Sequence, residues 1–314
     1  MSALIRDVNN GFDDYRQWAT DPTPRIGMGL PFFDGPTRGG IAKAECAMIL
    51  AYSSVGKTSL ALNWIVNNPQ VPTIFFSLEM SWRLVVARLA AINTGTPTWE
   101  LEDLVKRWEP ETPPQLSATS YKYPDLLGVD SSELGMKDMK QAVLDAGSKL
   151  GRPIRLVVID YMELIGGAGL LGKSEQIDRV AVKIRALAKD TDTSVVVLHQ
   201  VGKGDGSDGY LPLSLDAGKY GGHHPMDYVI GAYAPRLDRK LGEMERERIK
   251  EEMFLQLLKN RSGMASPTGV RHRLSPLNGK LSEWSAIPKY TDLTGYKADM
   301  FTTPSRPEPE FDFA

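Results

Sequence analysis

Cysteine is nearly absent. Cys46 stands alone among 314 residues, so no internal disulfide can form. Set in an apolar run, it reads as a small buried hydrophobe. Histidine is scarce as well, with four residues, and His199, His223 and His224 make no metal set with the lone thiol. No apolar stretch reaches the roughly 20 residues of a membrane-crossing helix. The N-terminus lacks the basic-then-apolar layout of a secretory signal. These absences exclude a disulfide scaffold and a membrane protein, and place the chain in the cytoplasm of a cell or of a phage host. An excess of positive charge is lacking too: the net charge is −2. The last sixteen residues carry a net −3, from Asp299, Glu308, Glu310 and Asp312 against Arg306, which leaves the rest at +1. A near-neutral body still binds a polyanion if its basic groups converge on one channel. No internal repeat is visible.

What is present is decisive at one place. Residues 51–58 read Ala-Tyr-Ser-Ser-Val-Gly-Lys-Thr. The octet follows the apolar run 47–50 and precedes a helical pattern of Leu60, Ala61, Leu62, Trp64 and Ile65. Strand, small-residue loop, Gly-Lys-Thr and helix is the layout of a phosphate-binding P-loop. Its amides make a concave anion site, and the helix N-terminus adds its positive end. Ala51, Ser53, Ser54, Val55, Gly56, Lys57, Thr58 and Ser59 are therefore the candidate ATP-binding residues. Lys57 would reach the β- and γ-phosphates, and the Thr58 hydroxyl would hold Mg²⁺. Gly56 lets the backbone approach the phosphate with no Cβ in the way. Ala51 departs from the strict pattern, which has glycine there.

The chain around this octet alternates strands with helices. Strands are expected near 45–50, 73–77, 154–159 and 194–198. Helices are expected near 57–68, 81–93, from 96 onward, near 135–149 and near 174–190, with Ser174 as an N-cap for the last. The Pro- and Thr-rich stretch 109–125 is expected to be irregular. Nearly continuous apolar strands between helices imply a parallel sheet covered on both faces. Residues 201–225, with seven glycines, break the alternation and are too long for a mere connector. Beyond them an antiparallel extension is expected: strands near 227–233, 253–259 and 269–274, and a charged helical stretch near 238–251. The expected organisation is a lead at 1–24, a core at 25–290 and an acidic, Pro-rich tail at 291–314. In the lead, Leu4, Ile5, Val8, Phe12, Tyr15 and Trp18 fall near one helical stripe, to be buried by its own domain or by a neighbouring subunit.

A P-loop ATPase needs a second Mg²⁺-site carboxylate at the tip of a neighbouring apolar strand. Asp160, after the strand 154–159, fits that need. Tyr161 follows it, so the usual place of a water-activating base is empty. Glu79, in Ser77-Leu78-Glu79-Met80 just past the strand 73–77, is the candidate base, and Glu163 is a competitor expected to point elsewhere. Gln200 ends a strand at the same sheet edge, where an amide can sense the γ-phosphate. Lys259 and Arg261 alternate along a late strand and so share a side. They form either a solvated edge or an arginine finger for the next subunit's site.

Together these residues resemble the RecA-type motor domain of DnaB-type replicative helicases, of the kind many phages encode. The resemblance runs from about Arg25 to Trp284. It rests on the lead-in Gly27-Met28-Gly29-Leu30 with Gly39-Gly40-Ile41, the P-loop, Phe76-Ser77-Leu78-Glu79-Met80, Val158-Ile159-Asp160-Tyr161, Leu198-His199-Gln200 and Lys259-Asn260-Arg261-Ser262-Gly263. Alanine at the first P-loop position is familiar in that family. Three departures stand out. The family's N-terminal collar domain is expected to be absent. Its acidic residue after the DNA loop is not obvious in 221–227, although Asp227 fits the Asp before the next strand. The loop from Arg261 to Thr268 is longer than usual.

The resemblance implies a RecA-like α/β fold with a C-terminal antiparallel hairpin, and ATP hydrolysis with Mg²⁺ held by Thr58 and Asp160. It implies Glu79 as catalytic base, with Lys259 and Arg261 acting on ATP bound by the neighbour. It further implies a ring oligomer, hexameric, that unwinds or translocates on single-stranded DNA, with Lys173, Lys203 and Lys219 as candidate DNA contacts. Replication proteins are possible partners, through the N-terminal helix or through the acidic tail Glu308-Pro309-Glu310-Phe311-Asp312-Phe313, which resembles the tails of single-strand-binding proteins. Two other readings stay open. One is a RecA/RadA-like recombination or repair ATPase that binds DNA without unwinding it; the other is a nucleotide-gated adaptor.

Overall fold

The computed structural model describes residues 7–166, 172–202 and 208–284 of the chain, except the side chain of Asn10. In chain order the elements are α1 (Val8–Thr20), α2 (Pro31–Asp34), β1 (Cys46–Ala51), α3 (Lys57–Val66), β2 (Thr73–Ser77), α4 (Trp82–Thr94), α5 (Thr98–Trp108), α6 (Pro114–Lys122) and β3 (Leu126–Asp130). They continue with α7 (Met136–Leu150), β4 (Leu156–Asp160), α8 (Lys173–Thr191), β5 (Ser194–Gln200), β6 (Tyr228–Tyr233), α9 (Glu243–Arg248), β7 (Glu252–Asn260), β8 (Ser266–Leu274) and β9 (Leu281–Glu283). Residues up to Glu283 group into one compact unit, and Trp284–Ala314 into a second, of which only Trp284 is described. The tail expected at 291–314 thus lies outside the described residues.

One sheet runs in the order β3-β2-β4-β5-β1-β6-β7-β8-β9. The six strands from β3 to β6 pair in parallel, and β6 to β9 pair antiparallel. Strands β1, β2, β4 and β6 are buried along their whole length. Side chains alternate faces along a strand. Ala47, Ile49, Val158, Val196 and Leu198 accordingly join Leu60, Trp64 and Leu89 on one face. Cys46, Met48, Leu50, Val157, Ile159 and Val197 join Met139, Ile184 and Leu187 on the other. The parallel sheet covered on both sides, with an antiparallel C-terminal extension, is the architecture the sequence implies.

Several local expectations are corrected. The stretch 109–125 is not irregular: α6 occupies part of it. Pro114 stands in the first turn of that helix, where its missing N–H costs nothing, and Leu116 packs on Ala90, Ala91 and Leu101. Strand β3, unforeseen, adds to the sheet edge, and its Gly128 is needed because a Cβ there would lie 2.2 Å from the Trp82 ring. Ser174 is not the N-cap of α8; Gly172 holds that place, and the Ser174 hydroxyl donates to the Tyr220 carbonyl at 3.1 Å. The charged stretch 238–251 forms only the six-residue α9.

The lead-in before β1 is clamped to α3. Trp64 Nε1, Asn67 Nδ2 and Asn68 Nδ2 donate to the carbonyls of Ile26, Met28 and Gly27. Asp34 accepts the amides of Met28 and Gly29. Gly40, at φ +116°, meets Ile26 so closely that a Cβ would fall 2.2 Å from its carbonyl oxygen. That clamp fixes α3, and with it the phosphate loop.

Candidate functional site

The parallel strands end in register at one edge of the sheet. Ser77 lies opposite Asp160, and Ala51 opposite Gln200. In open parallel sheets the cleft outside the carboxyl ends is where ligands bind, and a cavity of about 450 Å³ lies there. Residues 53–59, Glu79, Tyr161 and Gln200 line it. The helix α3 starts at Gly56 with φ +119° and no side-chain cap, so its first amides are left for a ligand. A Cβ on Gly56 would meet Leu274 at 2.7 Å. Ala51 is fully buried in the core, so the methyl that departs from the strict pattern does not obstruct the cavity.

Lys57 Nζ donates to the carbonyls of Ala51 at 3.1 Å and Tyr52 at 3.4 Å, curling back over the loop as a phosphate-seeking lysine does. Burial pulls its pKa below the ordinary lysine value, opposed by Glu163, Asp160 and Glu79. The Thr58 hydroxyl donates to Asp160 Oδ2 at 2.7 Å. Asp160 is 1% exposed. Burial raises its pKa to about 6, with Glu79 adding to the rise and Thr58 and Lys57 opposing it. A buried carboxylate at a strand tip and a hydroxyl in the first turn of α3 are oxygen ligands of the kind Mg²⁺ takes together with phosphate oxygens and water. The donor set fits that ion.

Glu79 lines the cavity from the exposed tip of β2. Glu163 turns away from it. Its Oε1 accepts the Gln200 amide at 2.9 Å and lies 3.3 Å from His199 Nδ1. Lys259 and Arg261 are not among the residues lining the cavity. Lys259 Nζ donates to the carbonyls of His223 and His224. Arg261 pairs with the buried Asp227, which also accepts from Arg185 and from the Cys46 amide. Lys173 and Lys219 both reach the ring of Tyr220, whereas Lys203 lies outside the described residues.

Sequence reasoning missed three parts of the wall. Arg88 projects from α4. Arg236 sits just past β6 and donates to the Val55 and Glu252 carbonyls, and burial lowers its pKa. The turn 275–279 after β8 closes the far side. Asn63 holds that turn, donating to the Gly279 carbonyl at 2.8 Å and accepting the Leu281 amide at 2.9 Å. The sequence signals for the turn were Ser275-Pro276 and Asn278-Gly279, both turn pairs.

Residues 26–208 match the family described as DnaB-like helicase C terminal domain. The chain belongs to that family. The match stops short of Lys219, Lys259 and Arg261. A replicative DNA helicase DnaB of Treponema pallidum (strain Nichols) is 29% identical over 207 residues, which cover 65% of this chain and 46% of that protein. A DnaB of Helicobacter pylori (strain ATCC 700392 / 26695) is 23% identical over 270 residues, 79% of this chain and 51% of the relative. The chain thus spans about half of these relatives or less. Among solved structures, the ATPase domain of G40P superposes with a TM-score of 0.73 at 18% identity, over 90% of this chain and all of that one. A DnaB-like replicative helicase described with its interactions with primase gives 0.69, over 90% of this chain and 67% of that one. The fold is therefore that of a RecA-like, DnaB-type ATPase domain. Among the described residues no helix is long and apolar enough to cross a membrane.

Proposed function

We propose that the chain is an ATP-driven motor on single-stranded DNA, a helicase or translocase that works as a ring in the cytoplasm, hexameric, with each ATP site shared between two subunits. One observation carries the reading. The uncapped start of α3, Lys57, Thr58, Glu79 and Gln200 line a single cavity at the strand tips, and Asp160 stands buried directly behind Thr58, accepting its hydroxyl. In it the amides of 53–59 and Lys57 hold the phosphates, and the turn 275–279 bounds the nucleoside side. Thr58 and Asp160 would hold Mg²⁺, which would supply Lewis-acid stabilisation of the phosphoryl oxygens. Glu79 takes a proton from the attacking water. Lys259 and Arg261 reach the neighbour's ATP and stabilise the transition-state charge. Gln200 reports γ-phosphate loss to the segment after β5, because its carbonyl accepts the Lys219 amide at 2.8 Å. Lys173, Lys203 and Lys219 contact the DNA backbone.

The test is strand separation on a forked DNA duplex with ATP, using Lys57→Ala as the blank. Unwinding by the wild type alone supports the reading. DNA-stimulated hydrolysis without unwinding favours a recombination-type ATPase, and hydrolysis indifferent to DNA favours the adaptor. Glu79→Gln should retain ATP binding and lose hydrolysis by about 10²-fold or more, measured as phosphate release against equilibrium nucleotide binding.

A further inference from the structure

Tyr220 has no ordinary reason to be where it is. Its φ is +70°, in the left-handed region that bulky residues avoid, and Gly221 and Gly222 follow at +93° and +89°. Core packing does not account for it: the residue is 38% exposed and joins neither large apolar cluster. Yet the backbone around it is pinned. The Tyr220 carbonyl accepts the Ser174 hydroxyl, the Gly222 amide donates to Asp178 Oδ1 at 2.9 Å, and the Lys219 amide donates to the Gln200 carbonyl. Over the held ring lie two ammonium groups, that of the neighbouring Lys219 at 5.4 Å and that of Lys173, from the start of α8, at 5.9 Å from its centroid.

We propose that Tyr220 is a stacking platform for one base of single-stranded DNA, with Lys173 and Lys219 taking the phosphates on either side of that base. An aromatic ring flanked by cations is the pairing that single strands require: every base offers a π-face, and every linkage offers a charge. The ammonium groups rest on the ring when no strand is present. They move to the phosphates when a base takes the ring face. The platform stands one hydrogen bond from Gln200 at the mouth of the nucleotide cavity, so a base on Tyr220 and a phosphate at Gln200 bear on the same short backbone segment. This inference rests on reading the chain as a single-strand motor.

The experiment is equilibrium binding, by fluorescence anisotropy, of labelled oligodeoxythymidine and of its abasic counterpart of equal length. Tyr220→Ala should weaken binding of the base-bearing strand by about tenfold or more and leave the abasic strand unchanged. Tyr220→Phe should bind both strands like the wild type. Lys219→Ala and Lys173→Ala should weaken both strands and each lower the salt dependence by about one phosphate contact. A Tyr220→Ala protein that matches the wild type on both strands, or that loses both alike, overturns the platform while leaving the motor reading standing. A wild type that binds neither strand overturns both.

Discussion

Asp160 carries a charge that folding makes expensive. Its carboxyl has a pKa raised by burial from 3.8 to about 6, so the folded protein holds that proton more tightly than the unfolded chain does. Stability contributed by this group is therefore present at low pH and lost as pH rises from 3.8 through about 6. In the metal- and nucleotide-free protein the loss should be on the order of 1–3 kcal/mol. Denaturant melts at either end of that window should show it in the wild type and not in Asp160→Asn. Parallel pH profiles for the two proteins would locate the buried charge elsewhere. Lys57 is the complementary case: three carboxylates sustain its charge against burial, so Lys57→Ala should abolish ATP binding while leaving Asp160 with still less reason to ionise.

At the scale of elements, close approach decides the outcome. Gly128 on β3 lies against Trp82 of α4, and a methyl added there would fall 2.2 Å from the ring. Gly95, at the end of α4, has a positive φ of +76° but open space around it. Gly128→Ala should therefore cost about 1–3 kcal/mol through overpacking, and Gly95→Ala about 1 kcal/mol through backbone strain alone, both read as shifts in unfolding midpoint. A Gly95→Ala cost equal to that of Gly128→Ala would mean that the Trp82 contact yields easily. The same distinction explains what the sequence could disclose. The phosphate loop, Asp160, Glu79 and Gln200 were legible because each belongs to a short local pattern at a strand tip. Arg88 was not, because it lies inside α4 with no local pattern to single it out, and Arg236 and the turn 275–279 were not, because the pairing of the C-terminal strands carries them to the cavity. Strand β3 was hidden by the prolines before it, and Ser174 misleads because a hydroxyl beside a helix start also serves a loop 46 residues away.

The whole molecule displays surfaces that a single chain leaves open. On α1, Val8, Phe12, Tyr15 and Trp18 are between 47% and 74% exposed, so this part of the helical stripe foreseen in the lead is not buried by its own domain; Leu4 and Ile5 lie outside the described residues. If the lead docks on a neighbour, Phe12→Asp combined with Tyr15→Asp should dissociate the oligomer, seen by light scattering after gel filtration, and lower hydrolysis together with mass. An unchanged mass would assign assembly to other surfaces. Arg261 offers a second test. Its pairing with Asp227 is shared with Arg185, so the Asp227 charge keeps a partner when Arg261 is removed. Arg261→Ala should thus fold, bind ATP and lose hydrolysis by ~10³-fold if it acts as a finger. Mixed assemblies of Arg261→Ala and Glu79→Gln subunits should depart from the average of their parents, since the finger and the base of one working site then come from different chains.

The turn 275–279 also sets an order in time. The phosphate loop, Asp160 and Gln200 leave the ribosome early, but the wall that Asn63 pins in place is made some two hundred residues after Asn63 itself. The two asparagine bonds therefore wait unmade, and the phosphate loop lacks this wall, until nearly the whole unit has been synthesised. The finished pocket is a product of the last strands, and a chain stopped at Leu274 should bind ATP weakly even with every phosphate-loop residue present.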